Sequence, residues 1–393
     1  MAAEAPLSAS LAPVEWYDCS AATVLGGAAP SVEAALATEA LLVSARAALG
    51  GIERGAYLRA RSAVSDFEAV GKGAFVCRSA LKLAELDAVA HLVPESEGTF
   101  RFVDVCAAPG GFCEYVLWRC ASRQQRAVGW SMSLSGHNAD GFGASMNRDL
   151  WKTSAVLADV DRSLGDVHAV DGDGSGDLYL RANTDALKEA VLRRAGKEAA
   201  PRPLLVVGDG GFDAARDVDD QDTALQRLAL CETACAIELV ALGGTFVLKV
   251  FLPLRAAGTL ELISAVDSTF AKLALIKPVA SRSASGEMYL VAKSFRANDE
   301  ERAGAVEALR RGADELGRGA ALQEPQLRPN LARFVDAQRA ALVDTQLEAC
   351  RAIARIATEP AARTACDLDS YAALWSIPRW HLEQPQRKRR RHR

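Results

Sequence analysis

Lys249 lies inside the apolar run GGTFVLKVF (243–251). A lysine there needs an anionic partner or a depressed pKa, because burial disfavours its charged form. So placed, it can be a structural ion-pair member or, close to another cation, a general base. Asp209, in LLVVGDGGF (204–212), stands where an apolar strand ends and a Gly-Gly turn begins, so its carboxylate is expected in a ligand crevice. Lys82 sits on the helical pattern CRSALKLAEL (77–86), one turn after Arg78, and Glu287 opens the strand that follows SRSASG. Each of the four has a bland reading as a surface or salt-bridge residue. Their order and settings, two lysines and two carboxylates each at an element that could face one crevice, make the set worth pursuing.

Two loops add binding chemistry. VDVCAAPGGFCE (103–114) reads as strand, glycine turn and helix start; Gly110 and Gly111 permit close backbone approach, and the first N–H groups of the helix suit an anionic group such as a carboxylate. The run is neither G-x-G-x-x-G nor G-x-x-x-x-G-K-[ST], so a nicotinamide dehydrogenase and a P-loop both lose ground. DGDGSGD (171–177) begins like a calcium loop, but its twelfth position is Ala182 where a bidentate Glu belongs, leaving a flexible acidic loop or one that grips a polar ligand.

The elements that must position these residues alternate. Strands are expected at 100–106, 127–134, 203–209, 244–251 and 287–295, with helices between them, among them CEYVLWRCA after the first and 223–242 after the third. Runs such as LLVV and FVL fit a parallel sheet covered on both faces. Ser31–Leu49 has helical spacing, an N-cap at Ser31 and a Gly50-Gly51 stop. Beyond residue 300 only amphipathic helices are expected, over 301–317 and 331–357, before the basic run RKRRRHR (387–393).

The 393 residues are half apolar, which excludes a wholly disordered chain. Lys and Arg number 46 against 50 Asp and Glu, a net charge of −4, so any nucleic-acid contact must run along a local basic track. Nine cysteines without a C-x-x-C pair argue against a disulfide scaffold or structural zinc and for a reducing compartment. No stretch suits a membrane span and the first residues lack a secretory pattern, so a soluble, intracellular protein is expected.

Lys82, Asp209, Lys249 and Glu287 together resemble the K-D-K-E tetrad of the FtsJ-like ribose 2′-O-methyltransferases. Further marks are similar to the branch of cap-specific mRNA (nucleoside-2′-O-)-methyltransferases that make cap 1: DVCAAPGGFCEYVLWR (104–119), VDGDG (170–174), GDGGF (208–212), QRLALC (226–231), GGTFVLKVF (243–251), KPVASRSASGEMYLVAK (277–293) and LWSIP (374–378). The resemblance runs from about residue 55 to 380. Where animal members have Ala-Gly-Pro-Gly-Gly the turn here reads Ala-Ala-Pro-Gly-Gly, the acidic loop is two residues longer, residues 136–170 match poorly, and the extra modules of those enzymes are not expected.

The resemblance implies a Rossmann-like α/β fold, a mostly parallel seven-strand sheet with helices on both faces, over 56–300. It also implies an N-terminal helical extension (1–55), a C-terminal one (301–380) packing on it, and a basic disordered tail (381–393). It implies S-adenosylmethionine as cofactor, its methionine end lined by Cys77 and by Ala107, Ala108, Pro109, Gly110, Gly111, Phe112 and Cys113, with Asp171 and Asp173 facing the adenosine and Asp209 near the methyl. Lys249 would be the base on the ribose hydroxyl, held by Lys82 and Glu287. Arg59, Arg61, Asp219, Arg282 and Ser285, with Lys277, would contact the RNA, Asp219 and Ser285 departing from the family's usual residues. The implied partners are capped mRNA 5′ ends and the transcription or capping machinery, with no membrane and no structural metal. The implied localisation is nuclear, with the cytoplasm also open, the tail serving as import signal or RNA arm. The alternatives are a cap-2, ribosomal or transfer RNA methyltransferase, or an inactive RNA-binding relative.

Overall fold

The computed structural model describes residues 14–20, 32–65, 67, 70–135, 146–147, 149–193, 201–211, 221–359 and 366–383. Its centre is a sheet of eight strands: β1 (Tyr17–Asp18), β2 (Phe100–Val105), β3 (Ala127–Met132), β4 (Gly165–Ala169), β5 (Leu205–Gly208), β6 (Thr245–Phe251), β7 (Phe270–Ile276) and β8 (Glu287–Phe295), in the order β1-β7-β8-β6-β5-β2-β3-β4. β4, β3, β2, β5 and β6 are parallel neighbours, and β8 runs antiparallel between β6 and β7. Seven strands were expected; the eighth is the two-residue β1, which adds an antiparallel edge to β7.

The period-2 pattern of the strands sorts the core into two halves. Val206, Phe246, Leu248, Val250, Met288 and Leu290 face one side with helices Gln221–Leu239 and Ala257–Thr269. Leu205, Val207, Val247, Tyr289 and Val291 face the other with helices Ser79–Ala90 and Gly111–Ser122. Apart from Ser122, every residue of Gly111–Ser122 is buried, as befits a helix covered on all sides. That burial includes Glu114 and Arg119, both of which therefore need partners.

The switch point lies between β2 and β5: from β2 the chain steps out to β3 and β4, then returns to β5 on the other flank. Ligands of open α/β sheets bind beyond the strand ends there. Outside the sheet, helices Val32–Gly50 and Arg54–Val64 both pack on the long helix Pro329–Thr358, and Asp299–Gly317 packs on Gln221–Leu239. Among the described residues no helix is long and apolar enough to cross a membrane.

Candidate active site

Register brings the four dispersed residues together. Val207 of β5 lies beside Val247 of β6, so Asp209, two residues on, falls beside Lys249 on the same face. Lys249 is opposite Tyr289 on β8, and because β8 is antiparallel its first residue, Glu287, sits at the carboxyl end of β6, opposite Phe251. The helix Ser79–Ala90 covers that face and lowers Lys82 onto it.

The resulting contacts are short. Lys82 Nζ lies 2.6 Å from Glu287 Oε1. Lys249 Nζ lies 3.1 Å from Asp209 Oδ1 and donates to the Asp209 carbonyl at 2.7 Å. Tyr289 O–H donates to Asp209 Oδ1 at 2.7 Å, and Ser281 O–H donates to Glu287 Oε1 at 2.7 Å. Burial would push Glu287 up, but the Lys82 and Lys249 ammoniums hold it well below the usual carboxylate range. Burial would pull Lys249 down, yet the carboxylates of Asp209, Glu287 and Glu232 outweigh it and keep it protonated more firmly than an ordinary lysine. The site is thus a row of alternating charge along the ends of three adjacent strands.

Beside it lies the glycine turn. Gly110 has φ 111° and precedes helix Gly111–Ser122. A Cβ on Gly111 would run into Ser79 Oγ and Cys77 Sγ, so the Cys77 segment is pressed directly against the helix start. Glu114 holds that segment, accepting the Val76 N–H at 2.7 Å and the Ser154 hydroxyl at 2.5 Å. Cys113 is wholly buried and its thiol donates to Asp104 Oδ2, leaving Asp104 Oδ1 buried without a hydrogen-bond partner. Burial raises the Asp104 carboxyl to about 7. Phe112 points into the core, while Ala108 N–H is held by Ser133 Oγ at 3.2 Å.

The acidic loop closes the same end. Asn183, fully buried, accepts the Asp173 N–H at 2.7 Å and donates to Ser175 Oγ and the Asp177 carbonyl, both at 3.0 Å. Ser135 N–H reaches the Ser175 carbonyl at 2.7 Å, fastening the loop to the exit of β3. The Asp173 carboxylate turns back onto Ser175 N–H and O–H, at 2.9 and 2.6 Å.

Of the residues expected to meet RNA, Arg59 and Arg282 are exposed and Arg61 is half-buried over the Tyr57 ring, 5.7 Å from its centroid. Ser285 Oγ accepts the Glu287 N–H at 3.2 Å. Lys277, expected at a phosphate, instead donates to the Ser285 and Glu287 carbonyls at 2.7 and 2.8 Å, and burial lowers it to about 8. Asp219 lies outside the described residues. Sequence reasoning missed Tyr289, although its place two residues after Glu287 on a strand puts it on the same face, and it missed Glu232, whose buried carboxylate accepts the Gly210 N–H. Among the described residues no group of His, Cys, Asp and Glu is placed to hold a metal ion.

The family model for FtsJ-like methyltransferases matches residues 75–295, more than half of the chain, and the chain belongs to that family. The family's cofactor is S-adenosylmethionine. The chain is similar to cap-specific mRNA (nucleoside-2′-O-)-methyltransferase 1 of Mus musculus, 31% identical over 252 residues covering 61% of this chain and 28% of the relative. The enzyme of that name from Homo sapiens is 30% identical with the same coverage. The one from Drosophila melanogaster is 30% identical over 265 residues, covering 64% of this chain and 31% of the relative. The chain therefore spans less than a third of the length of the curated relatives it matches. Among solved structures, a ribosomal RNA methyltransferase from Plasmodium falciparum aligns with a TM-score of 0.36 at 19% identity, covering 56% of this chain and 98% of that one.

The residues present fit the cofactor. The turn is shaped by glycines whose Cβ positions are already taken, an orphaned carboxylate oxygen lies at its base, and an acidic loop is fastened beside it.

Proposed function

We propose that this chain transfers a methyl group from S-adenosylmethionine to the ribose 2′-OH of the first transcribed nucleotide of RNA bearing an N7-methylguanosine cap. The observation that carries the reading is the charge row Lys82–Glu287 and Lys249–Asp209 set at the strand ends beside the glycine turn. The names of the relatives direct it to capped mRNA. Cys77, the turn Ala107–Cys113, Asp171 and Asp173 would hold the cofactor, which when bound supplies a methyl already activated on a sulfonium. What remains for the protein is close, in-line approach and a path for the proton.

Asp209 aims Lys249, Glu287 and Lys82 fix the other side of it, and Lys249 receives the ribose proton. Because its surroundings hold Lys249 protonated, only the fraction that has lost its proton can act, and transfer should climb with pH. Arg59, Arg61 and Arg282 would meet the cap phosphates and nearby backbone, Ser285 would offer its hydroxyl hydrogen, and binding should weaken steeply with salt. Asp219 and the basic run 387–393, both outside the described residues, would join the RNA site and direct nuclear import respectively.

The test is transfer of labelled methyl to three RNAs: capped with a free first ribose, capped with that ribose already methylated, and uncapped. Label on the first alone is expected. Label on the second would make the enzyme a cap-2 methyltransferase, label on the uncapped RNA would move the substrate away from mRNA, and no label with no cofactor binding would leave an RNA-binding protein.

A further inference from the structure

Glu232 is only 1% exposed and lies on helix Gln221–Leu239, across the sheet from the Lys82 helix. Its Oε1 accepts the N–H of Gly210, in the turn after β5, at 3.0 Å. The Cys106 thiol, where the glycine turn leaves β2, lies beside the same carboxylate. Room for the carboxylate is made by glycines: a Cβ on Gly208 or Gly210 would stand 2.8 or 2.6 Å from Oε1. Cys106 itself has φ 63°, a left-handed conformation that a side chain adopts at some cost. One carboxylate thus stands between the two turns that flank the switch point, bonded to Gly210 in one and set against Cys106 in the other, and Lys249 is the cation in its field.

We propose that Glu232 is a positioning residue of the methyl-transfer site, tying the cofactor turn to the catalytic turn through Cys106 and Gly210 and setting by its charge how firmly Lys249 keeps its proton. The inference rests on the reading of Lys249 as proton acceptor. A clamp without an electrostatic role would need only an acceptor, and glutamine would serve it as well. The titratable groups facing Glu232 are Cys106 from β2, Asp209 from β5, Lys249 from β6, Tyr179 from the loop before helix Arg181–Leu192, and Cys231 and Cys235 of its own helix. Burial raises the thiols and Tyr179, so they stay neutral through the neutral range. Burial also raises Glu232 itself, to about 8, against the pull of Lys249.

Two signs follow. Glu232→Gln removes an anion that raises Lys249, so the rising limb of the pH–rate profile should move to lower pH, by about one unit. A carboxyl raised from 4.5 to about 8 makes the folded protein lose stability as pH climbs between those values, because the unfolded chain has already released the proton. Glu232→Gln should lack that share of the loss.

The experiment compares the full chain with Glu232→Gln and Glu232→Ala by cofactor calorimetry, pH–rate profiles on capped RNA, and melting temperature against pH. Glu232→Gln is expected to bind cofactor within about twofold of the parent while its rate limb shifts down and its melting curve flattens. Glu232→Ala, which also unties both turns, is expected to bind cofactor about tenfold more weakly. Superimposable pH profiles for parent and Glu232→Gln, or parental cofactor affinity in Glu232→Ala, would overturn the proposal. If the parent methylates no RNA, the functional reading fails by itself, and Glu232 is judged on affinity and melting, where equality with the parent again rejects it.

Discussion

Asp209 is held by three contacts from two side chains: Tyr289 and Lys249 both address its Oδ1, and Lys249 takes its carbonyl as well. Tyr289→Phe keeps the ring that packs against Phe112 and removes only the hydroxyl. Folding should be unaffected while single-turnover transfer falls about tenfold, as an aiming hydrogen bond is lost; an unchanged rate would remove Tyr289 from the site. Lys249→Ala should lower transfer at least about a hundredfold. As the sequence requires of a lysine in an apolar strand, its head group faces anions, Asp209, Glu287 and Glu232. Stripping it leaves Asp209 and Glu232 without that cation, while Glu287 keeps Lys82, and chemical denaturation should reveal a loss of about 3 kcal/mol. Denaturation equal to the parent would mean those carboxylates protonate at little cost. The four charged residues were legible as a set through resemblance; Tyr289 could have been found from its place two residues after Glu287 on a strand, whereas Glu232 gains its role from a helix on the far face, which no spacing encodes.

At the scale of elements, the chain between β7 and β8 is a built loop. Lys277 closes its base through two carbonyls, and Glu85, one turn beyond Lys82 on the same helix, accepts the Val279 N–H with both carboxylate oxygens, at 3.0 and 2.9 Å. The helix that lowers Lys82 onto Glu287 therefore also anchors the loop that delivers Glu287. Glu85→Ala should strip hydrogen-exchange protection from the Val279 amide and slow transfer without weakening cofactor binding; retained protection there would show another anchor. Burial raises Glu85 to about 7, so this group makes the folded protein less stable as pH rises from 4.5 towards 7. Sequence patterning placed β2, β3, β5, β6 and β8 within a few residues, since their apolar runs are bounded by turn residues. It overlooked β7, which follows helix Ala257–Thr269 without an intervening loop, and β4, a short, largely solvent-facing edge with little apolar signal.

For the whole molecule, the segment Cys366–Glu383, beyond the stretch matched by the family model, is packed into the methyltransferase core rather than appended to it. Trp375 is fully buried and lies 5.0 Å from the Phe67 ring, centroid to centroid. His381, also fully buried, is ringed by Phe75, Trp118 and Trp380. Burial and the nearby Arg119 lower His381 to about 4, so it is neutral across the physiological range. The bolt is Arg119: it donates to the Trp375 and Ser376 carbonyls at 2.6 and 2.8 Å and pairs with Asp87 of the Lys82 helix at 3.3 Å. One guanidinium thereby joins the C-terminal segment, the helix of the glycine turn and the helix of Lys82. Arg119→Ala leaves Asp87 and two carbonyls buried without it, and should cost about 3–5 kcal/mol. Shortening the chain after Glu359 uncovers Phe67, Phe75 and Trp118 together and should do worse, giving a protein that exposes apolar surface to a dye such as ANS. If the shortened chain melts as the parent does and binds no dye, the C-terminal segment is a passenger. If it fails while retaining secondary structure, the smallest stably folding unit of this chain extends well past residue 295.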